Sequence, residues 1–188
     1  MAITNDYPVR LDIDYPEKLN RLSTFFRIFY AIPILIILSL LAGYLFPTVL
    51  LMILFRQKYP RWWFDWNLAY AKFSTRVSAY LMLLRDEYPS SDEDQAVHIE
   101  IDYPDAKKDL NRWLPLVKWF LAIPHYIILC FLYLVVFIFC IIAWFAILFT
   151  GKFPKGMFDL VVGVVRWSFR VNGYAFILVT DKYPPFSL

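Results

Sequence analysis

Two histidines, two cysteines and five glycines are all that 188 residues offer of the types that most often ligate, react or turn tightly. No Cys/His cluster has zinc spacing, and no glycine-rich phosphate loop or nucleophile motif is present. No cofactor or metal is expected, and the chain reads as no enzyme. Haem held by paired histidines needs both at one depth. His98 falls on the polar face of an extended segment, whereas His125 follows Pro124 inside a long apolar run and is read as a packing residue. Cys130 and Cys140 share that run, about 15 Å apart along a helix axis. That is too far for a disulfide between them, so they are read as small apolar thiols.

Charge is missing from two longer stretches, Ile28 to Phe55 and Trp119 to Phe149. Each exceeds the roughly 20 apolar residues that cross a bilayer. What is present points the same way: 60% hydrophobic residues, 20% aromatics and a mean hydropathy of +0.52, outside the ordinary soluble range. An α-helical integral membrane protein is the expectation. Met1 to Asp6 has none of the marks of a cleaved signal, so the first apolar segment is expected to insert directly. Bases sit beside or inside the apolar segments, which makes anionic lipid headgroups, and not nucleic acid, the expected partner.

The chain repeats itself. "VRLDIDYP" (Val9 to Pro16) returns as "VHIEIDYP" (Val97 to Pro104), "LNR" at Leu19 as "LNR" at Leu110, and "AIP" at Ala31 as "AIP" at Ala122. "ILFRQKYP" (Ile53 to Pro60) matches "ILFTGKFP" (Ile147 to Pro154), "RVSAY" (Arg76 to Tyr80) matches "RVNGY" (Arg170 to Tyr174), and each copy closes on Tyr-Pro. Charged and proline positions kept in order imply a tandem duplication. The units are residues 1–89 and 97–188, joined by an acidic linker at 90–96 that contains Asp92, Glu93 and Asp94.

Each unit reads as strand, long transmembrane helix, tight turn, second helix and an extended Tyr-Pro end. Val9, Leu11 and Ile13 alternate with charged residues, as do Val97, Ile99 and Ile101, the period-2 pattern of a half-buried strand. The competing reading is an extended tail on the membrane surface. Such strands would pair with each other or join another chain's sheet, since a lone strand leaves its backbone groups unpaired. The long helix is expected from about Lys18 to Phe55 and from about Lys107 to Phe149. Pro33 and Pro124 would kink it, and Gly43 and Pro47 would break the first copy further.

On the second helix Asp65, Lys72 and Arg76 recur as Asp159, Arg166 and Arg170. Spacings of 7 and 4 bring each trio to one face at about 100° per residue. The bland role for this stripe is ion pairing of Arg76 and Arg170 with Asp65 and Asp159 across neighbouring helices. The functional role is binding of anionic lipid or another anionic ligand. Two topologies follow. In the first, the second helix returns across the membrane, giving four spans with both strands on one side and the turns opposite. In the second, it lies in the interface and two spans invert the units. Gly156 to Val179 is apolar enough to span and Arg61 to Leu84 is more polar; the four-span hairpin is preferred. Counting Lys and Arg then puts both termini in the cytoplasm.

The stretches "AIPH" (Ala122 to His125), "AWFAILFTGKFP" (Ala143 to Pro154), "RWSFRVNGY" (Arg166 to Tyr174) and "DKYPPFSL" (Asp181 to Leu188) resemble the bacterial membrane domain family of unknown function DUF4389. The first unit is a divergent copy, with Ile34 for His125, Arg56-Gln57 for Thr150-Gly151 and Lys72-Phe73 for Arg166-Trp167. The resemblance implies a bacterial cytoplasmic membrane location and supplies no catalytic residue. The expected role is a non-enzymatic membrane scaffold or accessory subunit, as a homo-oligomer or in a larger complex. Binding or transport of an anionic lipid or amphipathic ligand is the alternative, and an electron-transfer subunit is the third reading.

Overall fold

The computed structural model describes residues 7–42, 45–91 and 93–188, so the readings that fall on Met1 to Asp6, Gly43 and Asp92 lie outside it. Among the described residues two short strands and six helices follow in order: β1 (Val9–Ile13), α1 (Arg21–Ala42), α2 (Leu45–Arg56), α3 (Arg61–Leu81), β2 (Val97–Ile101), α4 (Pro115–Leu121), α5 (Ile123–Thr150) and α6 (Lys155–Ala175). Two helical stretches among the described residues, Arg21–Ser39 and Ile123–Thr150, are long and apolar enough to cross a membrane.

The strands pair with each other, antiparallel, with Leu11 opposite Ile99 at the centre. Their alternation does what period 2 dictates. Val9, Leu11, Ile13, Val97, Ile99 and Ile101 are all buried, while Asp12, Asp14, His98 and Glu100 are exposed on the other face. Arg10 bridges Glu100 at 3.1 Å and Asp102 at 2.7 Å across the ladder, and His98 meets Asp14 at 3.0 Å.

The expected long helices are shorter and interrupted. The first begins at Arg21, not Lys18, where the Asn20 side chain caps the Leu22 N–H at 2.9 Å. The second begins at Pro115, not Lys107. Asp105 bonds the Lys107 N–H and Asp109 bonds the Asp105 N–H, and such local carboxylate–backbone bonds compete with a helix. The run also breaks at Ala122, just before Pro124, dividing α4 from α5. α3 and α6 each open behind a proline, Pro60 at φ −59° and Pro154 at φ −60°, values that suit a helix start. α5 closes on Gly151 at φ +74°. Its first-copy counterpart, Gln57, holds φ +46° without that freedom. Buried Leu83 and Leu178 occupy equivalent left-handed positions after α3 and α6.

α6 runs along β1. The Phe158 ring meets Tyr15 edge-on at 4.9 Å, Arg166 Nε donates to the Leu11 carbonyl at 2.8 Å, and Gly173 lies under Val9. Fifteen helical residues rise about 22 Å and six extended residues about 20 Å, so helix and strand are nearly aligned. β2 packs on α3, where the Phe64 ring meets Tyr103 edge-on at 5.0 Å. Each unit's strand therefore lies on the other unit's second helix. Beneath that layer α1 runs antiparallel to α3, with Arg27 at Tyr80 and Ile34 against Phe73 and Val77. α5 runs antiparallel to α6, with Tyr126 facing Phe176.

α3 and α6 run between the two ends of the sheet. The turn at 151–154 docks where β1 ends: Leu19 N–H donates to the Gly151 carbonyl at 3.0 Å and Tyr15 Oη to Phe153. The turn at 57–60 receives Tyr103 Oη at the Tyr59 carbonyl. Both turns thus dock at an end of the sheet, where the four-span hairpin would place them across the membrane from the strands. The two units run in opposite directions: the start of α1 meets the end of α5, where Phe25 stacks on Trp144 at 6.0 Å and Arg21 donates to the Phe149 carbonyl at 3.2 Å.

Candidate functional site

The stripe on the second helices turns towards the sheet. Arg166 donates from Nε to the Leu11 carbonyl at 2.8 Å and from Nη2 to Asp12 at 2.8 Å. Arg170 is buried, and its Nη1 holds the Ser187 carbonyl at 3.2 Å and Oγ at 3.1 Å. In the first copy buried Arg76 donates to the Ser90 carbonyl at 2.8 Å. Arg76 and Arg170 thus each clamp the extended Tyr-Pro end of their own unit. Asp65 pairs with Arg61 one turn earlier at 3.1 Å instead of reaching Arg76. Asp159 is exposed, and no ion pair joins it or Lys72 to another described residue. Helical spacing could not say that the arginines of the stripe would meet backbone carbonyls while its acids stay exposed. Burial pulls the Arg170 guanidinium below its ordinary range, and nearby Arg166 adds to that. Burial also raises the phenol of Tyr7, against the opposing charge of Arg170.

A second pair of ionic sites escaped the sequence reading. Lys118, 0% exposed, donates from Nζ to the Thr180 carbonyl at 2.6 Å and lies 2.6 Å from Asp181. Its counterpart is buried Arg27, which bonds the Tyr80 and Arg85 carbonyls and pairs with Asp86. The two acids also accept a backbone N–H from Asn111 and Asn20, respectively. Each site ties the start of a first helix to the end of the second helix in its unit. The signal was present: one base at the edge of each apolar run, and Asp-x-Tyr-Pro at both unit ends.

His125 is 0% exposed, accepts from Trp167 Nε1 at 3.1 Å and stacks on Phe186 at 4.0 Å. Among the described residues no three His, Cys, Asp or Glu side chains converge on a metal-sized site. Between α3 and α6 a cavity of about 380 Å³ is lined by Asn67, Ser74, Ser78, Ser168 and Asn172. The donors of Asn67, Ser74 and Ser78 fold back onto carbonyls of their own helix.

The doubled geometry has a counterpart in sequence space. A family model described as "Domain of unknown function (DUF4389)" matches residues 21–91 and again residues 113–187. The chain belongs to the DUF4389 family. Two successive matches in one DUF4389 chain are consistent with a tandem duplication. No curated protein and no solved structure matches it.

Proposed function

We propose that this DUF4389 protein is a non-enzymatic membrane scaffold that lies in the plane of the bilayer and holds its charged sheet in water. The supporting observation is the segregation of its two outer faces. The sheet presents Arg10, Asp12, Asp14, His98, Glu100 and Asp102. The far side presents Phe25, Phe29, Ile36, Phe131, Phe137 and Phe145 among many exposed apolar side chains of α1 and α5. Apolar area on that scale marks a lipid or protein contact. Five charged side chains and His98 at hydrocarbon depth would be costly, and strands aligned with α6 would carry them there if α6 crossed the membrane. A large apolar face below and a charged face above is the arrangement of an interfacial protein.

Single cysteines at Ser91, Lys107 and Lys152, with Cys130 and Cys140 replaced by alanine, test this in intact spheroplasts with an impermeant maleimide. All three sites should share one side, reacting together or only together after lysis. One site on the opposite side would sink the in-plane arrangement.

A second reading, contact with anionic headgroups, has one observation in its favour. A cavity of about 780 Å³ at one end of the sheet is lined by Arg56, Lys58 and Lys107 beside exposed Trp62, three bases against the two acids Asp105 and Asp109. These exposed bases suit headgroups better than Arg76, Arg166 and Arg170, whose donors are engaged within the fold.

A further inference from the structure

Comparison of the two repeats exposes a site that one half fills with its own chain and the other leaves open. In the second unit Phe186 stacks on His125 at 4.0 Å and approaches Trp167 at 5.8 Å and Tyr183 at 6.1 Å. Two residues on, Leu188 presses against Gly163, where an added Cβ would come within 2.8 Å. The repeat maps His125, Trp167, Tyr183 and Gly163 onto Ile34, Phe73, Tyr88 and Ala69. All four of those residues line one cavity of about 500 Å³ in the first unit. Its chain end runs Tyr88-Pro89-Ser90-Ser91 where the second runs Tyr183-Pro184-Pro185-Phe186, so Ser91 stands in the place of Phe186 and lines the same cavity.

We propose that this cavity binds an uncharged planar six-membered ring. The twin site gives the chemistry, because there a phenyl ring occupies the equivalent space. The walls agree: Trp66 and Tyr70, stacked at 6.0 Å, join Phe73 and Tyr88, and among the described residues that line the cavity none is charged. Aromatic faces favour another ring in offset or edge contact, and the volume falls within the range of small-molecule sites. The methyl of Ala69 stands where Leu188 meets bare Gly163, so the open site takes a ring and not a copied Phe-Ser-Leu tail. Ile37 and Leu41 continue the wall onto the exposed apolar face of α1. A ring carrying an alkyl or isoprenoid tail would leave in that direction; a free aromatic molecule would need only the ring pocket.

Two photoprobes separate these sources: 3-trifluoromethyl-3-phenyldiazirine, and the same compound with a dodecyl chain para to the diazirine. Applied to the purified full chain in nanodiscs and mapped by mass spectrometry, a bound ring should label residues 34–41 and 66–73 saturably. Saturation by the free probe assigns a small aromatic ligand, and saturation by the dodecyl probe alone assigns a ring on a lipid-like tail. Ser91→Phe, which restores the plug of the second unit, should lower that labelling about tenfold and raise the unfolding temperature. Ser91→Ala should leave labelling intact, and equal gel-filtration profiles confirm that both variants fold. Labelling that neither probe saturates, that spreads evenly over the apolar faces of α1 and α5, or that persists unchanged in Ser91→Phe would overturn the proposal.

Discussion

Lys118 shows how much a single side chain can be asked to do in this fold. Its ammonium is out of water, and one carbonyl and one carboxylate replace the lost hydration. Breaking such a pair from the acid side strands a buried charge, which typically costs about 3–5 kcal/mol. Asp181 is 23% exposed, so Asp181→Asn belongs at the lower end, about 3 kcal/mol. For a chain of this length that is a drop of roughly 6–12 °C in unfolding temperature. Lys118→Met removes the charge itself and leaves a carboxylate that water can reach, so it should cost less. Thermal unfolding of both variants in one detergent, followed by thiol-reactive fluorescence, checks the order. An equal or larger loss in Lys118→Met would mean that packing, and not charge, holds the site.

At the scale of elements, the contact between α6 and β1 depends on one missing side chain. A Cβ at Gly173 would come within 2.7 Å of Val9 Cγ2. Val9 is 1% exposed and sits in a paired strand, so it has little room to yield. Alanine in mid-helix would otherwise gain about 1 kcal/mol over glycine, but overpacking costs about 1–3 kcal/mol. Gly173→Ala should therefore lower stability. Gly156→Ala, with nothing within 4 Å of the new methyl, should raise it slightly. Paired thermal melts that move in the same direction would contradict this account.

The same contact shows what could be read beforehand. Alternation located both strands because burial on one face writes itself into every second residue, and the two copies of the octapeptide share that pattern. Helical spacing likewise put Arg166 and Arg170 on one face. Their partners were unreadable: a backbone carbonyl such as that of Leu11 or Ser187 has no letter in the sequence, and an arginine aimed at it looks the same as one aimed at lipid. Helix starts were misplaced for a related reason. Apolar content persists through Leu110 to Leu121, and only the local bonds of Asp105 and Asp109 and the break before Pro124 show where helix begins. The course of the helices beside the sheet was unreadable because hydropathy measures whether a segment tolerates lipid, not the direction in which it runs. The open cavity at Ser91 was in the sequence as a lost Phe, but only the filled twin gives that loss a meaning.

Across the whole molecule, β1 of the first unit rests on α6 of the second, and β2 of the second rests on α3 of the first. Neither half can cover its own strand or complete the sheet. Expressed alone, residues 1–94 or 95–188 should be degraded or aggregate; expressed together from separate genes they should accumulate and co-purify. A stable, monomeric half would refute this interdependence. The crossing of strands also has a historical side. A chain with only one unit would leave its strand uncovered until it met a second copy, and two such chains trading strands would form a closed twofold dimer with this same layout. Fusing the two genes removes the dependence on concentration and, more consequentially, the demand that both halves be identical. Ser91 where its twin has Phe186, and Ala79 where its twin has Gly173, are departures that a symmetric dimer would have had to make twice in one step.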